Sequence, residues 1–129
     1  MTVPPVPDAV YRALSSHSEH VRGRLLEIRQ LIFTVAAEIG NVGPLTETLK
    51  WGEPAYLTEV SRSGTTIRLG ATREAPQDSA VLFNCKTSLI DMFRTAFPAD
   101  FKFEGNRALV IPAECAIPRT PLLFCLSAA

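Results

Sequence analysis

Six apolar residues, Val21, Leu25, Ile28, Ile32, Val35 and Ile39, recur at alternating steps of four and three, the spacing that lines one side of an α-helix. A strand cannot use this pattern, because its side chains change face at every residue. Arg22, Arg24, Arg29 and Glu38 fall off the stripe. The pattern predicts a long amphipathic helix, which needs a second layer to cover its apolar side. Ser16 with Glu19 three residues on matches a capping box, in which hydroxyl and carboxylate satisfy orphan N–H groups at the helix start. Gly40-Asn41-Val42-Gly43-Pro44 marks its end. Before it, Asp8 opens a shorter helical stretch whose Ala9, Val10, Ala13 and Leu14 are expected to pack inward. The proline-rich residues 1–7 are expected to form a flexible arm.

From Tyr56 onward the second layer appears as short segments of strand length, separated by turn residues. Strands are predicted at roughly 55–61, 65–72, 79–86, 100–104 and 107–111, with hairpins at Ser63-Gly64 and Glu104-Gly105-Asn106. Between the third and fourth strands, Thr87 is placed to cap a helix carrying Leu89, Ile90, Phe93 and Phe97, which Pro98 stops. A last helix is expected near Pro118. This order implies an α+β domain over residues 1–129: an antiparallel sheet of about five strands, packed on one face by N-terminal, middle and C-terminal helices. Strand alternation puts Ile67, Leu69, Val81, Phe83, Cys85, Phe101 and Phe103 on the core face. Arg68, Asn84, Lys86 and Arg107 collect on the other face, expected to be solvated.

Composition excludes several functions. The 129 residues balance 13 Lys and Arg against 13 Asp and Glu, so there is no basic footprint for nucleic acid or an anionic membrane. No apolar run approaches the roughly 20 residues of a membrane span. Cys85, Cys115 and Cys125 are odd in number and widely spaced, which suggests neither a disulfide framework nor a zinc ribbon and fits a reducing cytoplasm. The sequence stops on Leu126-Ser127-Ala128-Ala129 directly after an apolar run, where a natural domain would be expected to continue into polar residues.

The run Leu49-Lys50-Trp51-Gly52-Glu53-Pro54-Ala55-Tyr56-Leu57 holds the single tryptophan and one of two tyrosines. An aromatic turn feeding a strand can wall a small-molecule site, with Trp51 and Tyr56 stacking a planar ligand and Lys50 and Glu53 orienting it. Arg68, Lys86, Arg107 and Lys50 could hold a carboxylate or phosphate, since guanidinium binds such groups in a bidentate fork. The competing readings are packing for Trp51, with Gly52 and Pro54 merely shaping the turn, and a solvated face for the basic residues. His17 and His20 could bridge one metal ion beside Glu19, but metal sites need three or four ligands. As the only histidines, they would have to serve any Cys-His or Ser-His-Asp mechanism, and no acid and base pair is evident. Cys85, beside Lys86, is read as a buried thiol rather than a redox site. Gly40-Asn41-Val42-Gly43 lacks the Lys-Ser or Lys-Thr of a phosphate-cradling loop.

Together with the Ile28-Arg29-Gln30-Leu31-Ile32 helix core and Phe101-Lys102-Phe103-Glu104-Gly105-Asn106-Arg107, the Leu49–Leu57 run resembles the YdhG-like family of bacterial domains, from about Asp8 to Ile111. That resemblance implies helices against an antiparallel sheet, similar to frataxin, with iron handling assigned to one relative. Frataxin-type iron delivery relies on a ridge of carboxylates, whereas Glu19, Glu27 and Glu38 are interrupted here by Arg22, Arg24 and Arg29. The resulting expectation is a non-enzymatic binding domain without catalytic residues, metal or cofactor. Near the Trp51 turn it would take a small molecule, an anionic one among the candidates, or a partner segment. Metal handling and a homodimer sealed by Phe124 are the alternatives.

Overall fold

The apolar stripe folds into a 20-residue helix, α2 (Glu19–Glu38), which buries Val21, Leu25, Ile28, Ile32 and Val35 as predicted and also Leu31 and Arg29. A computed structural model of the chain describes residues 3–38, 45–50, 52–57, 66–72, 76–83, 89–105 and 107–128. Ile39, the Gly40–Pro44 stop, the Ser63-Gly64 turn, Asn84, Cys85 and the Thr87 cap lie outside them. The shorter helix α1 (Asp8–Leu14) buries Val10 and Leu14 and leaves Ala9 exposed. The expected capping box at Ser16 does not form. The last turn of α1 draws the Ser15 and Ser16 hydroxyls onto the Tyr11 and Ala13 carbonyls, so Ser18 becomes the cap, its Oγ accepting the Val21 N–H at 3.3 Å.

The strands are β1 (Thr46–Lys50), β2 (Glu53–Leu57), β3 (Ile67–Gly70), β4 (Ser79–Leu82), β5 (Lys102–Glu104) and β6 (Ala108–Ile111). Helix α3 (Leu89–Ala96) lies between β4 and β5, and α4 (Arg119–Ala128) closes the order. Among the described residues the sheet thus has six strands in the order β1-β2-β3-β4-β6-β5, every neighbour antiparallel. The α+β class is as expected, with one strand more than about five. The additional strand is β1, which pairs residue by residue with β2 from Thr46↔Leu57 to Lys50↔Glu53. As an edge strand with Thr48, Leu49 and Lys50 exposed, it carries no buried alternation to announce it. Gly52, directly before β2, takes a φ of +78°, a left-handed conformation that glycine adopts without steric cost.

One core lies between the helices and a single face of the sheet. Tyr56, Ile67, Leu69, Val81, Phe83, Leu109 and Ile111 meet Leu25, Ile28, Ile90, Phe93 and Leu122 there, with Phe83 and Phe93 in edge contact at 5.4 Å between ring centres. The opposite face differs from the solvated surface expected of it. At its centre Ala80, Leu82, Ala108 and Val110 form a second buried apolar cluster. Two of the four are alanines, whose short side chains leave little area to expose, and Leu82 and Val110 fill the space beside them. Charged residues hold the flanks of this face, Glu53 and Arg68 on one side and Lys102 and Glu104 on the other. No helix among the described residues is long and apolar enough to cross a membrane.

Candidate functional site

The seven residues singled out in the sequence divide among three places. Trp51 and Lys86 lie outside the described residues. Tyr56 is on the core face, 1% exposed, and its hydroxyl donates to Glu47 Oε2 at 2.8 Å. Burial and the Glu47 carboxylate both push its pKa upward. The expectation that Tyr56 shares a solvent-reachable hollow with Arg68 therefore fails, because their parity along paired strands sends them to opposite faces of the sheet. Lys50, Glu53, Arg68 and Arg107 remain.

Glu53 and Arg68 come together on the second face through an ion pair of 3.0 Å between Arg68 Nη1 and Glu53 Oε1. Their side chains are 26% and 21% exposed. The pairing Ala55↔Arg68 carries Glu53 over Gly70, and a methyl group built on Gly70 would sit 2.5 Å from Glu53 Oε2. Gly70 thus leaves the space that the carboxylate fills, and a Cβ there would require the flexible end of Glu53 to shift. Lys50 is the register partner of Glu53 and is exposed. Desolvation raises the Glu53 pKa, outweighing the opposing pull of Arg68, Arg107 and His17. This carboxylate is less comfortable in its site than it would be in water.

A groove of about 530 Å³ is lined by Ser16, His17 and Ser18 from the α1–α2 turn and by Ala71, Thr72, Pro76 and Gln77 from the β3–β4 connection. That volume suits a small molecule. Neither Glu53 nor Arg68 lines it; the links between the two are Ala71, which follows Gly70 in the chain, and His17, whose charge acts on the Glu53 carboxyl. The Thr72 hydroxyl is sealed from solvent without a hydrogen-bond partner, which leaves one wall group unsatisfied. Sequence reasoning missed all the groove residues as ligand-site candidates except His17, which it weighed as a metal ligand and as the histidine of a nucleophilic mechanism. The available signals were turn chemistry at Pro76-Gln77-Asp78 and the serines bracketing His17, neither of which distinguishes a site from a connection.

On the core face a second ion pair is built differently. Arg29 grips Glu47 with both ends of its fork, Nε to Oε2 at 2.6 Å and Nη2 to Oε1 at 2.9 Å, with side chains 3% and 8% exposed. Nη2 also donates to the carbonyls of Pro4 at 2.8 Å and Pro5 at 3.2 Å, which ties down the proline-rich arm expected to be flexible. The guanidinium lies 4.9 Å from the centre of the Phe33 ring. Hydrogen bonding to Glu47 raises the Arg29 pKa against the opposing effect of burial. Every oxygen of Glu47 is occupied, so this network holds α2, β1, β2 and the arm together and has nothing to offer a ligand.

Among the described residues, no group of three or more His, Cys, Asp or Glu is placed to hold a metal ion. His20 is exposed while His17 faces the groove. Burial pushes the Cys125 thiol up to about 12, and Cys115 is exposed. Comparison of the chain with protein-family models, with curated proteins and with solved structures finds no match in any of the three.

Proposed function

We propose that the protein is a non-enzymatic binding domain whose groove between the α1–α2 turn and the β3–β4 connection takes a small anionic molecule. The observation that carries this reading is a groove of ligand size whose wall residue His17 also acts on the partly open Glu53–Arg68 pair. The guanidinium groups of Arg68 and Arg107 both act on the one Glu53 carboxylate, as does His17, so permanent cations outnumber that anion. His17, Ser18 and Gln77 add donors on the groove wall. The Glu53–Arg68 pair lies toward the end of the sheet where β2 begins, next to Gly52, and where β3 ends.

The YdhG-like likeness belongs to this proposal as a matter of fold. Its iron-handling branch is less favoured, because Glu19, Glu27 and Glu38 are exposed along α2 and the intervening arginines oppose a cation. A thermal-shift screen of small mono- and dianions tests the binding reading, with Arg68→Ala as control. Binding at 100 times Kd stabilises by about 2.7 kcal/mol, so the expected result is a rise in Tm of several degrees that the variant loses. Lack of stabilisation by any anion, or equal stabilisation of Arg68→Ala, would remove the reading.

A second reading, assembly, rests on Phe124. It is 51% exposed on α4 although its ring meets Phe97 at 5.3 Å. Sedimentation at two concentrations decides it: self-association weakened by Phe124→Ser supports assembly, and a monomer throughout removes it.

A further inference from the structure

We propose that Glu53 is a built-in stand-in for the ligand: its carboxylate occupies, over Gly70 and against Arg68, the place that an incoming dianion takes once Glu53 is neutralised. This inference rests on the binding reading above and adds how the site is regulated and which charge it selects.

The geometry has three parts. Glu53 presents to Arg68 the same two-oxygen group that a carboxylate, sulfate or phosphate ligand would present, and the contact is a single 3.0 Å bond from Nη1 to Oε1. The space it fills exists because residue 70 is glycine, and even one carbon there would collide with Oε2. The pair is partly open to solvent, so exchange of one oxyanion for another needs only a rotation of the flexible Glu53 side chain and no opening of the core.

The charged groups facing Glu53 among the described residues decide the direction of the switch. From β1 comes Lys50, from β3 Arg68, from the turn before β6 Arg107, and from the α1–α2 turn His17. Asp78, beside the groove residue Gln77, is buried with Oδ1 accepting the Ala113 N–H at 2.7 Å, and Glu47 is held on the other face by Arg29. Glu53 is therefore the anion to be removed. Desolvation raises its pKa, so a modest fall in pH neutralises it earlier than an ordinary glutamate and leaves Arg68 without its partner. The ligand that gains most carries two negative charges, because it replaces one unit of negative charge amid several cationic groups.

Inorganic sulfate, whose charge does not change between pH 5.0 and 7.5, is the probe. Calorimetric titration of the whole chain is expected to show sulfate binding more tightly at pH 5.0 than at 7.5, with about tenfold as the limit for complete neutralisation of Glu53, the change that about 1.4 kcal/mol of released repulsion produces. Glu53→Gln is expected to bind at pH 7.5 at least as tightly as the wild type does at pH 5.0 and to keep less than about a threefold pH dependence. His17→Gln separates the contribution of the imidazole and should retain most of the wild-type rise. Gly70→Ala should weaken binding at pH 5.0, because its methyl group enters the space the anion needs. The proposal is overturned if Glu53→Gln binds no tighter than wild type at pH 7.5, or if the pH dependence survives in Glu53→Gln and vanishes in His17→Gln. Equal sulfate affinity at both pH values, abolished by Arg68→Gln, would sink the stand-in role while leaving the binding reading intact. No sulfate binding to any variant at either pH would remove both.

Discussion

The chain carries two arginine–glutamate pairs on opposite sides of one sheet, and they behave as different devices. Arg29–Glu47 is bidentate, buried, and closed by Tyr56 and two backbone carbonyls. Arg68–Glu53 is held by one bond among the described residues and is partly open to water. Under the proposed function, the same two side-chain types serve architecture on one face and exchange on the other. What separates them is the number of bonds that satisfy each oxygen and the water that can reach them. A fully satisfied buried pair has no favourable alternative partner, whereas a desolvated carboxylate with one partner does.

The strongest way to break this contrast is to remove Arg29. Arg29→Met leaves the Glu47 carboxylate buried without its cation, and the expected loss is about 3–5 kcal/mol by urea denaturation. A loss below about 1 kcal/mol, the range of an exposed pair, would place both pairs in one class. Replacing Arg29 and Glu47 together by Met and Leu should recover part of the loss, since a buried pair is often no better than well-packed apolar groups. Next in size is Tyr56→Phe, which removes one donor from Glu47 while keeping the ring against Phe33. A cost of about 1.5–3 kcal/mol is expected for a hydrogen bond to a charged group.

On the second face the same kind of change should cost little. Arg68→Gln and Glu53→Gln are each expected to shift stability by less than about 1 kcal/mol in the same denaturation experiment. Gly70→Ala should be equally mild, because alanine gains about 0.5–1 kcal/mol over glycine in a strand and the Glu53 side chain can turn aside. The smallest effect is in the pH profile. Glu53 has a folded pKa above its ordinary 4.5, so the folded state binds its proton more readily than the unfolded chain. Its contribution is fully present below the ordinary value and is lost as pH rises through the raised one. Comparing wild type with Glu53→Gln across that window should show a decline in the wild type that the variant lacks.

Legibility in the sequence followed the same division. The stripe from Val21 to Val35 and the alternation read around β3, β4 and β5 identified the core face, because burial on one side imposes a period that can be counted. Edge strand β1 has no such period, and its Thr-Glu-Thr-Leu-Lys composition resembles a connection. Arg29 was placed off the stripe, yet it lies four residues after Leu25 and three before Ile32, close enough to the apolar side to be buried with it once Glu47 supplies a partner. That partner is 18 residues away in another element, beyond any local pattern. Charge and turn residues pointed to Glu53 and Arg68, which the structure pairs, whereas Tyr56, read as a wall for a ligand, is buried on the core face. Its side chain is amphipathic, and only the strand register decides whether the ring enters the core or lines a surface. The groove itself is made by two connections meeting in space, a juxtaposition that no spacing records.

The most direct measurement of the contrast is the behaviour of the arginine Nε–H groups by NMR during titration with sulfate at pH 5.0. The Arg29 signal is expected to be protected from solvent exchange and unmoved by sulfate, while the Arg68 signal exchanges faster and shifts in a saturable way. If the two arginines respond alike, or if only Arg29 shifts, then the faces of the sheet do not divide the work of structure and binding as described.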